Sequence, residues 1–144
     1  MRYPPLVSYA DRDSYREHYE RDYCSRPVRT FDGILVRFHK KRFWHAFFES
    51  ERRGGPKTVF CAERASRIDW IGAALCDPDA ELYVGWDSTK KRYDSGRRVA
   101  VVVEDYVVII ALTGEAKADF ITAFIADSPQ TIARIRSSPR WSRK

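Results

Sequence analysis

The sequence has few of the residues that metal centres and disulfide frameworks require. It contains three cysteines, an odd number with no CxxC spacing, and three histidines that fall in no HExxH or His-x-His arrangement. Structural zinc sites and catalytic metal sites need such clusters of ligands. The absences therefore argue against a metal, and we expect no cofactor.

Long apolar runs and two common catalytic motifs are also absent. No segment approaches the roughly 20 apolar residues of a membrane-spanning helix, and the opening MRYPPLVSYADRD lacks the apolar part of a secretion signal. Without a GxSxG elbow or a GxxxxGK loop, serine hydrolases and P-loop nucleotide hydrolases are disfavoured. We expect a cytoplasmic protein with reduced cysteines and no membrane partner.

Length and charge limit what remains. With 144 residues, 44% of them hydrophobic and 14% aromatic, the chain can bury one core and is too short for two ordinary domains. Its 26 Lys and Arg against 20 Asp and Glu give a net charge of +6, with basic clusters at 37–42, 90–98 and 134–144. Such clusters suit a polyanion such as RNA or DNA, although the last one is equally typical of a solubilising tail.

The first third of the chain predicts a helix and then a densely cationic segment. Tyr15, Tyr19 and Tyr23 recur at every fourth residue of the charged stretch 11–24, so this helix should dock on the body of the protein or on a partner. Residues 37–48 read RFHKKRFWHAFF, which contains four Lys or Arg, two histidines and five aromatic side chains. This segment either only attracts phosphates or also supplies proton chemistry.

Apolar residues recur on one helical face of the stretch 62–75, AERASRIDWIGAAL. Arg64 falls within this apolar stripe and Arg67 flanks it. An arginine in such a place needs either a buried acid or an anion. A bound phosphate and an internal salt bridge to Glu63 or Asp69 are therefore both open.

The second half is rich in strands. Apolar or alternating runs at 82–86, 99–103, 106–112 and 120–126 predict four strands in an antiparallel meander. The polar pair Glu104-Asp105 predicts a hairpin turn between the second and the third of them. Two of these runs have no polar face, so helices should cover part of the sheet on both sides.

The predicted fold is α+β, with N-terminal helices packed on a four-stranded antiparallel sheet and a short C-terminal helix. That helix should start at Ser128-Pro129, an N-cap residue followed by proline, and run to about Ser137. We expect an N-terminal extension with the charged helix at 1–30, the main domain at 31–138 and a basic tail at 139–144.

Metal-free cleavage of RNA needs few parts. A base must take the proton from the ribose 2′-hydroxyl, cations must offset the charge on the phosphorane, and an acid must protonate the departing 5′-oxygen. Histidine titrates in the useful range, and arginine binds phosphate through two parallel hydrogen bonds. The sequence has these residue types beside its basic clusters, which is equally compatible with a protein that binds nucleic acid without cleaving it.

Five short motifs follow one another along the chain: His45-Ala46-Phe47, Arg64-x-x-Arg67, Tyr83-x-Gly85-Trp86, the apolar hairpin with Tyr106, and Phe120-Ile121-Thr122-Ala123-Phe124. Together they resemble the barnase–EndoU–colicin–RelE superfamily of ribonucleases. The branch they resemble is that of phage and mobile-element proteins and of bacterial toxin tips. The resemblance covers about residues 30 to 138.

The resemblance implies metal-independent endonucleolytic cleavage of RNA, often tRNA, to a 2′,3′-cyclic phosphate. It assigns proton transfer to His45, phosphate binding to Arg64 and Arg67, and a contact with the scissile phosphate to Thr122. His39 is the rival of His45; six helical residues turn the chain by about 600°, so the two could not face one phosphate. His45 is preferred because it lies in the aromatic part of its segment.

The expected RNA-binding residues are the side chains of the cationic segment, a later basic loop and two aromatic side chains that could stack a base: Arg37, His39, Lys40, Lys41, Arg42, Tyr83, Trp86, Lys90, Lys91 and Arg92. The preferred hypothesis is an endoribonuclease that acts as a toxin or mobile-element effector, with RNA and a cognate inhibitor or immunity protein as partners. The start at Met1, without a long carrier region, favours a free-standing protein.

The alternative hypothesis is a non-catalytic nucleic-acid-binding or protein-interaction module with the same fold. An ADP-ribosyl transferase is disfavoured, because the sequence lacks a convincing succession of Arg, Ser-Thr-Ser and Glu.

Overall fold

The computed structural model describes residues 3–50, 55–87, 91–93 and 98–142. Within these ranges the α-helices are α1 (Arg12–Tyr19), α2 (Arg42–Phe47), α3 (Ala62–Ala65), α4 (Ile68–Leu75) and α5 (Pro129–Arg136), and a π-helical segment, Glu20–Cys24, extends α1. The strands are β1 (Val28–Arg29), β2 (Leu35–Arg37), β3 (Phe48–Ser50), β4 (Lys57–Phe60), β5 (Glu81–Val84), β6 (Trp86–Asp87), β7 (Arg92–Tyr93), β8 (Arg98–Val103), β9 (Tyr106–Gly114) and β10 (Lys117–Ile125). Across the described ranges no helix has the length and apolarity that a membrane crossing demands.

Six strands form one mixed sheet in the order β1-β2-β10-β9-β8-β5. Neighbouring strands are antiparallel except for β2 and β10, which run parallel. β3 pairs with β4 and β6 pairs with β7 in two separate ladders. The turn at Glu104-Asp105 joins β8 to β9, as predicted, and Glu104 has a positive φ of 55°.

The chain is α+β, but the predicted four-stranded antiparallel sheet is wrong, because the sheet has six strands and one parallel pair. β5, β8, β9 and β10 form the antiparallel part that the apolar runs indicate. β1 and β2 extend the sheet beyond β10 and have only two and three residues. Strands this short do not complete a period-two pattern, so periodicity cannot indicate their pairing.

The helices α1 to α4 cover one face of the sheet, which we call the inner face. Tyr19, Phe47 and Ile71 come from the helices and pack in one cluster with Val108 and Phe120 of the sheet. Each of these five residues is 0% exposed. The main core of the protein therefore lies between the helices and the inner face.

The aromatic stripe of the first helix docks on this core. α1 starts after Asp11, whose carboxylate accepts a hydrogen bond from the Ser14 backbone N–H at 2.9 Å. Tyr15, Tyr19 and Tyr23 expose only 5%, 0% and 5% of their surface and belong to the main core. Of the two predicted uses of the stripe, docking on the body of the protein is confirmed.

The opposite face, which we call the outer face, is covered in part by α5. Ser128 caps this helix by accepting a hydrogen bond from the Thr131 backbone N–H at 3.2 Å, and Pro129 is its first residue, as predicted. Ile132 and Ile135 pack on a second apolar cluster formed by Tyr83, Ala100, Val102 and Val107. The rest of the outer face carries the polar residues described below.

The stretch 62–75 forms two helices. α3 ends at Ala65, and Arg67 is the N-cap of α4, with φ −99° and ψ 22°. Arg64 and Ile68 therefore do not lie on one continuous helical stripe.

Candidate functional site

Four residues lie side by side across the outer face and form what we call the first row. Arg37 of β2 is opposite Asp119 of β10, Asp119 is opposite Ala111 of β9, and Ala111 is opposite Arg98 of β8. Directly opposed residues project from the same face of a sheet. Since Val36, next to Arg37, is buried in the main core, the first row projects away from the helices.

Two further rows lie beside the first. The second row is Thr122, Ile109, Ala100 and Tyr83, and the third row is Phe124, Val107, Val102 and Glu81. The apolar members of both rows pack in the cluster beneath α5. The outer face therefore passes from an apolar, helix-covered half to a polar half formed by the first row.

His39 joins the first row from the loop that follows β2. Its Nε2 atom lies 3.2 Å from Oδ1 of Asp119, and the two side chains are 47% and 30% exposed. A carboxylate at this distance orients the imidazole ring and fixes which of its nitrogens faces the substrate. The pair is accessible to solvent, as proton exchange with a substrate requires.

The two arginines of the first row flank the His39–Asp119 pair. Strands are about 4.8 Å apart, so the Arg98 backbone lies two strands, or about 10 Å, from that of Asp119. Gly85 makes room for Arg98, because a Cβ atom at Gly85 would lie 2.7 Å from the Cβ atom of Arg98. In the described part of the chain neither Arg37 nor Arg98 forms an ion pair, so both can bind an anion.

Thr122 lies in the second row because of an irregularity in β10. The register shifts between Phe120 and Thr122, so Ile121 is the extra residue of a bulge. Bulges re-aim side chains, and they are frequent next to active sites. The Thr122 hydroxyl oxygen is buried and has no partner among the described residues.

Tyr83, at the far end of the second row, is engaged with its own neighbours. Its hydroxyl donates a hydrogen bond to the Glu81 carboxylate, and this bond raises the pKa of Tyr83 and lowers the pKa of Glu81. The Arg140 guanidinium lies 5.2 Å from the centroid of its ring. The predicted base-stacking residue is buried, with only 4% of its surface exposed.

Arg64 lies at the open edge of β10, where β2 has ended. Its Nη1 atom is 3.5 Å from the backbone oxygen of Ala46, and its guanidinium is 5.8 Å from the centroid of the Phe124 ring. Within the described residues it forms no ion pair, so the predicted salt bridge to Glu63 or Asp69 is not formed. Arg64 reaches strand β10, which carries Thr122, from the helix layer.

His45 lies on a different side of α2. With about 100° per residue, the buried Phe43, Ala46 and Phe47 define the core-facing side, and His45 points away from it. It lines a surface depression together with Lys41, Arg42 and Trp44. The catalytic roles of His45, Arg64 and Thr122 remain predictions.

Arg67 stays within the helix layer. Its guanidinium lies 5.2 Å from the centroid of the Trp70 ring, and Nη1 donates to the backbone oxygen of Glu63 at 2.8 Å. It therefore stabilises the junction of α3 and α4.

The predicted RNA-binding cations are distributed over the surface. Arg37, Lys40, Lys41, Lys91 and Arg92 are exposed, and Arg42 is half-buried. Lys90 and the side chain of Trp86 lie outside the described residues.

One cluster has the residue types of a metal site. His18 Nε2 lies 2.7 Å from Asp69 Oδ1 and 3.0 Å from Asp22 Oδ2, and His18 Nδ1 lies 2.8 Å from the Tyr9 hydroxyl. These are hydrogen-bond distances, shorter than the roughly 3.3 Å between ligands of a tetrahedral zinc ion with bonds of about 2 Å. The His18 imidazole therefore joins α1 to α4 through hydrogen bonds.

Asp119 and Arg98 were missed by the sequence predictions. Asp119 is an acidic residue within the mainly apolar strand KADFITAFI. A charged side chain at such a position indicates that it faces outward. Its neighbours across the sheet depend on the parallel pairing with β2, which the sequence did not reveal.

Comparison with protein-family models, with curated proteins and with solved structures found no match to this chain.

Proposed function

We propose that the protein is a metal-independent endoribonuclease whose active site is the polar half of the outer face. The observation that carries the proposal is the His39–Asp119 pair, with 3.2 Å between Nε2 and Oδ1, flanked in the first row by Arg37 and Arg98. A proton acceptor with a carboxylate partner and two unpaired guanidinium groups are the parts that phosphodiester cleavage without metal requires.

In this mechanism His39 takes the proton of the ribose 2′-hydroxyl on Nδ1. The 2′-oxygen attacks the neighbouring phosphorus and the bond to the 5′-oxygen breaks, which leaves a 2′,3′-cyclic phosphate. The 5′-oxygen takes a proton from water, because this half of the face is open to solvent. Asp119 is a positioning residue that stabilises the imidazolium formed in the first step.

Arg37 and Arg98 bind the non-bridging oxygens of the phosphate and offset the charge that grows on the phosphorane. Thr122 lies one row further along β10, and its hydroxyl, which is buried in the free protein, rotates outward to donate to the same phosphate. Proton transfer is assigned to His39, because its Nε2 atom lies 3.2 Å from Oδ1 of Asp119, in the row that also carries Arg37 and Arg98.

The biological setting follows from the sequence resemblance to phage and toxin ribonucleases. The proposal therefore includes cytoplasmic action on cellular RNA, with tRNA as the first substrate to test, and a cognate inhibitor that protects the producing cell. A cation-rich outer face is also what such an inhibitor would cover with acidic residues.

The test is cleavage of end-labelled RNA in the presence of EDTA. The unaltered protein should give discrete fragments with 2′,3′-cyclic phosphate ends. His39→Ala should lower kcat at least about 100-fold, the usual contribution of a general base. Arg98→Ala and Asp119→Asn should also lower kcat, and His45→Ala should retain most of it.

Two outcomes contradict the proposal. If the RNA stays intact but is shifted on a gel, the protein binds nucleic acid without cleaving it. If His45→Ala abolishes cleavage while His39→Ala does not, the site on the outer face is wrong. Circular dichroism of each variant shows whether it is folded.

A further inference from the structure

Trp44 is the most exposed aromatic side chain in the described part of the protein. It exposes 47% of its surface, whereas its neighbours Phe43 and Phe48 expose 1% and 2%. Its ring centroid lies 4.5 Å from that of Phe48 and 5.9 Å from that of Phe43. The indole is therefore held by buried rings on one side and open to solvent on the other.

Cations surround this open ring. Lys41 and Arg42 line a surface depression of about 390 Å³ with Trp44, and no carboxylate of the described residues lines it. The Arg12 guanidinium lies 5.8 Å from the centroid of the Trp44 ring. The Arg42 Nε atom is buried without a partner among the described residues.

The depression is connected to the proposed active site by the chain itself. His39 is followed by the exposed Lys40 and Lys41, and α2 starts at Arg42. A chain of five residues spans at most about 18 Å, so Trp44 lies within that distance of His39. At a rise of about 3.4 Å per nucleotide, this corresponds to at most about five stacked nucleotides.

We propose that Trp44, Lys41, Arg42 and Arg12 form a subsite that binds an unpaired nucleotide of the RNA, a few positions from the scissile phosphate. The base stacks on the open face of the indole, and the flanking phosphates contact the cations. This inference rests on the proposed function. It makes the substrate an RNA with a single-stranded loop or tail beside the cleavage position.

The chemistry of the depression favours a nucleotide over an acidic segment of another protein. An acidic peptide would satisfy the three cations and leave the indole without a matching planar group. A nucleotide supplies both an aromatic face and a phosphate at close spacing. Aromatic rings next to a cationic groove are the usual means of binding single-stranded nucleic acid.

The experiment compares two substrates with the same scissile bond, a dinucleotide and a single-stranded RNA of about 12 nucleotides, within the length that one binding site covers. Trp44→Ala should lower kcat/KM for the longer RNA by about 10-fold to 100-fold, as expected for the loss of one stacked base, mainly through KM. Cleavage of the dinucleotide should be unchanged, because it does not reach the subsite. Trp44→Phe should restore most of the loss.

Phe31→Ala is the matched control, because Phe31 is also an exposed aromatic residue, at 40% exposure, and lies outside the depression. It should leave the kinetics of both substrates unchanged. Thermal unfolding of each variant shows whether the fold is intact, and Trp44→Phe keeps the ring contact with Phe48.

The subsite is refuted if Trp44→Ala cleaves the longer RNA normally, or if it slows both substrates equally. If the unaltered protein cleaves neither substrate, the proposed function fails, and the subsite is tested by binding of a 2′-deoxy version of the longer strand. A 10-fold weaker Kd in Trp44→Ala then supports the subsite, and an equal Kd overturns it.

Discussion

At the scale of single residues, the Thr122 hydroxyl is an unusual feature. Its oxygen is buried without a hydrogen-bond partner among the described residues. A buried polar group without a partner costs about 1–3 kcal/mol in folding free energy. A binding site can retain such a group if a ligand supplies the missing partner.

Replacement of Thr122 by valine separates the cost of the buried hydroxyl in folding from its contribution to RNA cleavage. Because Thr122→Val removes an unpartnered hydroxyl and keeps the shape of the side chain, the free energy of unfolding should stay the same or rise by up to about 1 kcal/mol. RNA cleavage should fall, because the phosphate loses a donor. Urea unfolding and a cleavage assay measure the two quantities, and a clear loss of stability would show that the hydroxyl has a partner in the folded protein.

At the scale of elements, α5 is held on the outer face by few contacts. None of its residues is fully buried, and Arg136 in its last turn contacts other elements. The Arg136 guanidinium contacts the Glu81 carboxylate at 3.3 Å and donates to the backbone oxygen of Glu104 at 2.8 Å. This arginine thus joins α5 to β5 and to the β8–β9 turn.

The stability of this junction should depend on pH. Hydrogen bonds from Tyr83 and from Arg136 lower the pKa of Glu81, so its carboxylate stabilises the folded state above the ordinary value of 4.5. That contribution is lost as the pH falls through the lowered pKa. Because the Glu81 side chain is 35% exposed and screened by solvent, we expect only about 0.5 kcal/mol.

Thermal unfolding of Glu81→Gln beside the unaltered protein tests this. The unaltered protein should have the higher Tm near neutral pH, and the difference should shrink as the pH falls below 4.5 through the lowered pKa of Glu81. If the Tm difference persists in acid, the stabilisation by Glu81 comes from packing and not from its charge.

The elements also differ in how well the sequence predicts them. The apolar runs 99–103 and 106–112 identify β8 and β9 directly, since only a covered sheet accommodates them, and the alternating run 120–126 identifies β10. The segment 62–75 has one helical period but contains two helices, because the backbone of Arg67 leaves the helical region. Local periodicity indicates which residues face the core and does not indicate where a helix is interrupted.

At the scale of the whole molecule, the proposed RNA path joins the outer face to the α2 depression. Arg37 and Arg98 would share the scissile phosphate, and Lys41, Arg42 and Arg12 would contact about three more. The logarithm of the association constant should therefore fall with the logarithm of salt concentration with a slope of about −3. Fluorescence anisotropy of the 2′-deoxy strand over a salt series measures this slope.

Lys41→Ala should reduce the magnitude of the slope by about 0.7, the contribution of one phosphate of a single strand. Arg26→Ala, an exposed arginine in the connection between α1 and β1, is the matched control and should leave it unchanged. A slope that neither variant changes would place the RNA elsewhere on the surface.

The candidate site shows the limit of sequence analysis at this scale. His39 and Arg37 were named from their cationic segment, but their partners come from strands that follow much later in the chain. Asp119 meets them through a parallel pairing of only three residues, and Arg98 meets them across β9. Composition identifies the chemistry available, whereas the neighbours of each group depend on a register that local patterns do not contain.

The pairing of β2 with β10 has a consequence for biosynthesis. His39 and Asp119 are 80 residues apart in the chain, so the ribosome adds the strand that unites them long after it has added the imidazole. A nascent or prematurely terminated polypeptide that lacks β10 carries the imidazole without its carboxylate. If the protein cuts RNA, its active site is therefore incomplete until β10 has left the ribosome.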